Sequence, residues 1–363
     1  MKILLSGGGT AGHINPAVAI ASYAKSKDLN NEVLFIGTKK GLESTLVPME
    51  NYDIKYINVD GLKKEISLKS LVSAGKMGIA LAKSIAILKR FKPDVVIGTG
   101  GYVCVPSLMA AKILGIPSIV HEQNVFPGSA VKFVADKCSV TAISFEESLR
   151  YIKNANNITL TGNPIRPAIL EHNKSECKKK LGIEDKKVVL CFGGSLGANK
   201  INDVMVDYLK SNTPNSDTVV YFGTGKRDYE RVIGNAKELN QNNIKILPYI
   251  DNMDILMNAA DVVISRSGAI TLAEICALGK PSILIPSPNV TNDHQHYNAK
   301  ALSDRNAAIM IKEDDFNSKT LGVALDAILH DEKRAHQMSL SSKQMGITDA
   351  TEKIYSIAKT LVK

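Results

Sequence analysis

His13 stands in a glycine-rich segment of the kind that binds anions. The segment, Gly7-Gly8-Gly9-Thr10-Ala11-Gly12-His13-Ile14-Asn15-Pro16, follows the apolar, strand-like run 1–6 and precedes the helix-like run 17–21. A glycine-rich turn from strand to helix brings backbone N–H groups to an anion, and the helix dipole favours negative charge there. Pro16 suits the first turn of that helix. We therefore expect a phosphate site with His13 beside it; a tight turn without a ligand is the alternative.

The glycine spacing leaves open which phosphate ligand this would be. Gly7, Gly9 and Gly12 match the dinucleotide fingerprint G-x-G-x-x-G. That fingerprint needs an acidic residue at the end of the second strand to hold a ribose. The second strand, 33–36, is followed by Gly-Thr-Lys-Lys, so no carboxylate stands there. The P-loop motif also fails, because His13 replaces the lysine that binds phosphate.

A second stretch combines an anion site with a carboxylate. The apolar strand 260–264 ends in Ser265-Arg266-Ser267-Gly268, and a helix is predicted from about Ala269. The first turn of a helix offers free N–H groups to an anion. Glu274 lies one turn further on, where a carboxylate could accept both hydroxyls of a ribose; a solvent-facing helix glutamate is the alternative. The polar segment 292–299 follows, and its two histidines are interpreted as lining rather than as catalytic groups.

The elements that would position these residues alternate between strand and helix. A strand at 187–192 and a glycine loop at 193–198 repeat the design of the first half, and 161–167 marks the crossing between halves. Ligands bind beyond the carboxyl ends of parallel strands, so the strand tips at 100–102 and 122–124 should converge near the first loop. The prediction is an α/β protein with two Rossmann-like, doubly wound domains facing across a cleft.

Composition limits the protein class. The chain has 363 residues, of which 44% are hydrophobic and 22% charged, enough for two domains of a soluble protein. No apolar run reaches the roughly 18 residues that span a bilayer, and the first strand begins at once without a signal peptide. The five cysteines form no C-x-x-C motif. We expect buried, reduced thiols in a cytoplasmic protein, and no metal site.

The positive charge is concentrated in one segment. Residues 1–163 carry 19 basic and 12 acidic residues, and Lys63–Lys92 alone carries eight basic residues against one glutamate. Lys69, Lys76, Lys83 and Arg90 recur every seven residues and so share a helix face. This face is either the solvated side of a packed helix or a surface that docks on an anionic membrane. Nucleic acid is disfavoured, since aromatic residues are only 5% and no nucleic-acid motif occurs.

An ordered set of motifs resembles the MurG family of N-acetylglucosaminyltransferases, in glycosyltransferase family 28. The similarity runs from Met1 to about Ala299. The motifs, in chain order, are Gly7–His13, Gly100-Gly101-Tyr102, His121-Glu122-Gln123-Asn124, Gly162-Asn163-Pro164-Ile165-Arg166, Gly193-Gly194-Ser195-Leu196-Gly197 and Ser267–Glu274. The resemblance implies the GT-B arrangement of two domains. Residues 1–163 would form the domain on the acceptor and membrane side, and residues 164–340 would form the domain that binds UDP-GlcNAc. Residues 341–363 would form a C-terminal helix that returns to the first domain.

The resemblance also implies the reaction. N-acetylglucosamine would move from UDP-GlcNAc to the C4 hydroxyl of the MurNAc unit of lipid I, which carries an undecaprenyl diphosphate. The product would be lipid II, formed with inversion and without a metal or other cofactor. The enzyme would work at the cytoplasmic face of the cell membrane, held peripherally on anionic lipid through Lys63–Lys92.

The expected site residues follow from the matched motifs. His13 is the candidate general base, because an imidazole beside the positive end of a helix stays neutral. Departure of UDP would be assisted by Arg166, by the Ser195 loop and by the helix start at Ala269, Ile270 and Thr271. The remaining assignments are Thr10, Ala11, Gly12 and Asn124 for the donor sugar, Gln295 for the same sugar, Ile250 for uracil, Glu274 for ribose, and Tyr102 and Glu122 on the acceptor side.

Two other classes remain open from the residues alone. An NADP-dependent oxidoreductase would use the first loop with Lys39 and Lys40, but would leave the second glycine loop and Glu274 without a role. A non-catalytic, nucleotide-binding membrane adaptor would bind the nucleotide and show no transfer. Binding of UDP-GlcNAc or of NADPH separates the first alternative from the glycosyltransferase.

Overall fold

The chain forms two compact units. The computed structural model describes residues 1–59, 68–153, 155, 157–194, 197–239 and 243–362, and it describes only the backbone of 68–74. One unit contains Met1–Ile165 together with Thr348–Lys363, and the other contains Arg166–Ile347. Both are α/β units built on parallel sheets, as the sequence predicts.

The first unit has a seven-stranded parallel sheet in the order β3-β2-β1-β4-β5-β6-β7. Its strands are β1 (Lys2–Gly7), β2 (Glu32–Gly37), β3 (Asp53–Tyr56), β4 (Val95–Gly100), β5 (Ser118–Glu122), β6 (Val140–Ile143) and β7 (Ile158–Leu160). Its central strands contain continuous apolar runs, such as Ile3-Leu4-Leu5 and Val95-Val96-Ile97, because helices cover both faces of the sheet. The strand order reverses between β1 and β4, and ligands of such sheets bind beyond the strand ends at this reversal.

The α-helices described before the crossing to the second unit are α1 (Ala11–Lys27), α2 (Glu43–Met49), α3 (Leu68–Phe91), α4 (Cys104–Leu114) and α5 (Ser129–Val134). Helix α3 buries Ala80, Ser84 and Leu88, which recur every four residues. Ile79 on its outer side is 69% exposed. Within the described residues, no helix has the length and apolar character needed to cross a membrane.

Helix α1 begins earlier than the sequence suggested. Ala11 is its first residue, so His13 lies in the first turn and Pro16 in the second. The prediction that Pro16 occupies the first turn is therefore wrong. A proline there removes the hydrogen bond to the carbonyl four residues back, that of Gly12. Gly12 is exposed, so water can replace the lost donor.

The second unit has a six-stranded parallel sheet in the order β10-β9-β8-β11-β12-β13. Its strands are β8 (Lys187–Phe192), β9 (Thr218–Gly223), β10 (Ile244–Leu247), β11 (Val262–Ser265), β12 (Ser282–Leu284) and β13 (Ile309–Met310). Its helices are α6 (Lys174–Leu181), α7 (Asn199–Ser211), α8 (Tyr229–Asn235), α9 (Met253–Ala259), α10 (Ala269–Leu278), α11 (His294–Ser303), α12 (Ser318–Leu329) and α13 (Glu332–Gln344). Here the strand order reverses between β8 and β11.

The last helix, α14 (Ala350–Leu361), belongs to the first unit. Ile354 is fully buried in the same cluster as Ile20 of α1. Asn31 donates a hydrogen bond from Nδ2 to the Tyr355 hydroxyl at 3.0 Å. The end of the chain is thus part of the core of the first sheet.

Candidate functional site

A carboxylate organises the first glycine loop. Glu43, at the start of α2, is buried, and its Oε2 accepts a hydrogen bond from the Gly9 N–H at 2.9 Å. Its Oε1 accepts from the N–H of Thr38 at 2.9 Å and from the Thr38 hydroxyl at 2.7 Å. Burial raises the pKa of Glu43, but these hydrogen bonds outweigh it and hold the pKa below its usual value.

The position of Glu43 has two consequences for the loop. A Cβ at Gly8 would lie 2.6 Å from the Glu43 carboxyl carbon, so glycine is needed for this approach. The negative charge also stands where an anion bound at the Gly9 N–H would sit. This carboxylate argues against the phosphate site that the glycine pattern suggested at Gly9.

His13 is held by a network that begins at its Nδ1 atom. This nitrogen lies 3.0 Å from Gln123 Oε1, and the Thr99 hydroxyl donates to the His13 carbonyl at 2.7 Å. The Gln123 amide in turn lies 2.8 Å from Nδ1 of the fully buried His121. Burial lowers the pKa of His13, and it lowers that of His121 to about 4. Both rings are therefore neutral at pH 7, as a general base at His13 requires.

The strand ends of β4 and β5 carry the predicted acceptor-side residues. Tyr102 is 40% exposed. Glu122 is buried, and its carboxylate accepts hydrogen bonds from the N–H groups of Asn124 and Gly128, both at 2.8 Å. Asn124 Nδ2 also lies 3.2 Å from Glu122 Oε1. Glu122 thus shapes the loop after β5, and its engaged oxygens make it a poor alternative to His13 as a base.

The second unit contains a pocket of about 560 Å³ at the reversal of its sheet. This volume lies within the range of small-molecule sites. The lining comes from the glycine loop after β8, the first residues of α7, the loop before α10 and the segment after β12: Phe192, Gly193, Gly194, Gly197, Ala198, Asn199, Lys200, Arg266, Gly268, Thr271, Ser287, Asn289, Gln295 and Glu313. Two helix N-termini therefore border one pocket, which favours an anionic ligand.

The donor-binding residues predicted in the second half of the chain lie in different parts of the second unit. Thr271 and Gln295 line the pocket, and Gln295 Oε1 accepts from the Ser287 N–H at 2.9 Å. Ala269 begins α10, followed by Ile270. Ile250 is buried, close enough that a Cβ at Gly223 would lie 2.8 Å from its Cδ1. Ser195 lies outside the described residues.

Glu274 is buried and already has a cationic partner. Arg166 donates from Nε to Glu274 Oε1 at 2.8 Å and from Nη2 to Oε2 at 3.0 Å. This bidentate pair was not foreseen from the sequence, where the two residues have separate roles. A ribose bound by Glu274 would have to share or displace the guanidinium.

Several residues at these sites were missed from the sequence. Glu43 lies six positions after the end of β2, whereas the dinucleotide fingerprint places its acidic residue at the strand end itself. The sequence-based prediction gives Arg266 no role of its own, but its side chain lines the pocket and forms an ion pair with Glu313. In the described part of the chain, no three His, Cys, Asp or Glu side chains are grouped as metal ligands.

Comparison with known proteins identifies the family. The model of the glycosyltransferase family 28 N-terminal domain matches residues 3–143, and that of the C-terminal domain matches residues 188–359. Relatives named UDP-N-acetylglucosamine--N-acetylmuramyl-(pentapeptide) pyrophosphoryl-undecaprenol N-acetylglucosamine transferase include one from Acetivibrio thermocellus, 45% identical over 100% of this chain and 99% of the relative. One from Bacillus cereus is 42% identical over the full length of both chains.

Solved structures agree with this placement. The crystal structure of Acinetobacter baumannii MurG covers 99% of both chains with a TM-score of 0.81 and 25% identity. A UDP-GlcNAc 2-epimerase from Neisseria meningitidis bound to UDP-GlcNAc has a TM-score of 0.67 at 14% identity over 99% of this chain and 100% of its own. The second likeness concerns the fold alone. The family resemblance and the two-domain α/β architecture predicted from the sequence are thus confirmed.

Proposed function

The chain belongs to glycosyltransferase family 28, and from this membership we propose that it transfers N-acetylglucosamine from UDP-GlcNAc to lipid I, forming lipid II. Its full-length relatives are named for this transfer, and the pocket bordered by two helix N-termini supports it most directly. Such a pocket suits a diphosphate, because the N-terminal N–H groups and the dipoles of two helices attract negative charge. The acceptor is the C4 hydroxyl of MurNAc.

The donor binds in the second unit. Its diphosphate lies at the N-termini of α7 and α10, near Lys200 and Arg266, which bring positive charge to the pocket wall. The Glu313 carboxylate partly offsets this charge through its ion pair with Arg266. Thr271 and Gln295 contact the donor from the same wall. Glu274 receives the ribose hydroxyls, and Arg166 keeps its carboxylate ionised and oriented.

The first unit supplies the base. Attack by the acceptor hydroxyl forms the new bond from its oxygen to C1 of N-acetylglucosamine while the bond from C1 to the UDP oxygen breaks. His13 Nε2 takes the hydroxyl proton, and the leaving diphosphate takes the electron pair. A single in-line displacement of this kind inverts the configuration at C1. Thr10, Ala11, Gly12 and Asn124 contact the transferred sugar, and Tyr102 and Glu122 border the acceptor.

Helix α3 supports a peripheral position on the cytoplasmic face of the membrane. Lys83 and Arg90 are exposed on the side that also exposes Ile79. Lys69 shares their spacing, although its side chain lies outside the described residues. Basic residues near an anionic surface contribute about 1 kcal/mol each, and exposed apolar side chains add burial in the interface. The lipid acceptor stays in that surface, so docking brings enzyme and substrate together.

Calorimetry with two ligands tests the proposal against its alternatives. UDP-GlcNAc should bind the full-length protein and NADPH should not. Labelled N-acetylglucosamine should then pass to a short-chain analogue of lipid I, with UDP released in equal amount. Binding of NADPH in place of UDP-GlcNAc would identify an oxidoreductase. Binding of UDP-GlcNAc without transfer would identify an adaptor and refute the enzymatic proposal.

A further inference from the structure

A chain of hydrogen bonds runs from the Gly162 carbonyl through His121 and Gln123 to the His13 ring. We propose that Gln123, oriented by His121 and Thr99, holds neutral His13 as the Nδ1–H tautomer, which leaves the lone pair on Nε2. Gln123 and His121 are then positioning residues for the base. The catalytic use of that lone pair rests on the proposed function, whereas the tautomer itself does not.

The proton positions follow from the Gly162 end of the chain. His121 Nε2 lies 2.9 Å from the Gly162 carbonyl oxygen, which can only accept, so Nε2 carries the proton. Ser144 Oγ, 3.2 Å from the same nitrogen, has two closer acceptors for its proton, the Glu122 carbonyl at 2.7 Å and Asn163 Oδ1 at 2.8 Å, so it can accept the proton of His121 Nε2. Because neutral imidazole has one N–H, His121 Nδ1 is a bare acceptor. It receives a proton from Gln123 Nε2 at 2.8 Å.

Two acceptor groups determine the orientation of the Gln123 amide. Besides His121 Nδ1, its Nε2 lies 2.8 Å from the Thr99 carbonyl oxygen, another group that only accepts. The two amide protons are thus used by Thr99 and His121. The Gln123 oxygen is left facing His13 Nδ1 at 3.0 Å, and an amide oxygen can only accept. His13 Nδ1 must therefore be protonated.

The surroundings of the His13 ring agree with this assignment. A Cβ at Gly100 would lie 2.6 Å from His13 Nδ1, so the protein closes this edge of the ring, and Gly100 has a φ of +105° that favours glycine. The hydrogen bond to Gln123 is made by Nδ1, and a backbone hydrogen bond at Thr99 also acts on the ring and raises its pKa. Glu43 is the charged group that acts on the ring, and its attraction for a proton is weaker than the opposing effect of burial on the pKa.

The tautomer matters because only an unprotonated nitrogen can accept the acceptor's proton. The neutral histidine side chain in water prefers the Nε2–H form, which would leave no lone pair on Nε2 to take the proton. In Ser-His-Asp enzymes, an imidazole held in the wrong tautomer costs about 10⁴-fold in kcat. An amide performs the orienting role here without adding charge, which keeps the His13 pKa low.

Nitrogen-15 NMR of the full-length, histidine-labelled protein without substrate tests the assignment. The chain has seven histidines, and the His13 signals are identified by their loss in His13→Gln. Wild-type His13 should show a protonated Nδ1 and a bare Nε2. Gln123→Met has the same length without hydrogen bonds and should give a tautomer mixture. Gln337→Met, at an exposed glutamine of α13, is the matched control and should leave the His13 tautomer unchanged.

Turnover should follow the tautomer. Gln123→Met should lower kcat about 10- to 100-fold, with the KM for UDP-GlcNAc unchanged, and Gln337→Met should leave both unchanged. A wild-type His13 protonated at Nε2, or the same tautomer in Gln123→Met, overturns the inference. If Gln123→Met fails to fold, the wild-type spectrum still decides, because it shows directly which ring nitrogen of His13 carries the proton. An Nδ1–H wild type that forms no lipid II would refute the proposed function and leave the tautomer assignment standing.

Discussion

Replacing Glu43 should loosen the first glycine loop by a measurable amount. Glu43→Ala removes three hydrogen bonds to a buried carboxylate, from the Gly9 N–H and from the N–H and hydroxyl of Thr38. Hydrogen bonds to charged groups contribute about 1.5–3 kcal/mol each, but Gly9 is exposed and its N–H can turn to water. We expect a loss of about 2–4 kcal/mol in the free energy of unfolding of the first unit.

Glu43→Gln should cost less, about 1–2 kcal/mol, because one acceptor oxygen remains while an NH₂ group faces a backbone N–H. The pH dependence has a definite sign. The folded pKa of Glu43 lies below the unfolded value near 4.5, so the stabilisation is present above pH 4.5 and is lost as the pH falls through the folded pKa. The difference between wild type and Glu43→Gln should therefore shrink toward acid pH.

Denaturant midpoints at pH 7 and pH 4, with hydrogen exchange at the Gly9 and Thr38 amides, measure these effects. Glu50→Gln, an exposed glutamate just after α2, is the matched control and should leave all of them unchanged. Because His13 follows this loop, Glu43→Gln should also lower kcat about tenfold or more without weakening UDP binding. Equal stability of the Glu43 and Glu50 variants, or wild-type exchange at Gly9, would refute the role of Glu43.

Three further predictions follow from the sites. Glu274→Ala should weaken UDP-GlcNAc by about 1–3 kcal/mol in calorimetry, and equal losses for an analogue without ribose hydroxyls would remove Glu274 from the ribose site. His13→Ala should lower kcat roughly 10²–10⁴-fold with donor affinity retained. The lowered His13 pKa places the acidic limb of the wild-type kcat/KM profile below pH 6.5, and a limb above that value would contradict the assignment. Glutamine at the four basic positions of α3, Lys69, Lys76, Lys83 and Arg90, should release the protein from anionic vesicles. Transfer to a water-soluble acceptor should continue. Unchanged vesicle binding would mean that the membrane contact lies elsewhere.

Local sequence patterns were sufficient to predict strands of the two sheets and several helix starts. The strand predicted at 187–192 is β8 with the same limits, and the helix predicted from about Ala269 begins there. Strands buried on both faces need continuous runs of branched apolar residues, and the glycine loops at their ends mark where each helix begins. These signals lie within a few residues of one another, so the sequence alone carries them.

The site chemistry depended on contacts that no local pattern encodes. Glu43 reaches Gly9 across 34 positions, and Gln123 reaches His13 across 110. The Arg166–Glu274 pair spans 108 positions. Motifs identified the family and the candidate base, but the order β3-β2-β1-β4-β5 decides which strand ends become neighbours. That strand order is set by the packing of whole strands and helices. It brings Gln123 to the His13 ring, where its oxygen holds the proton on Nδ1, and it brings the Glu43 carboxylate to the first glycine loop.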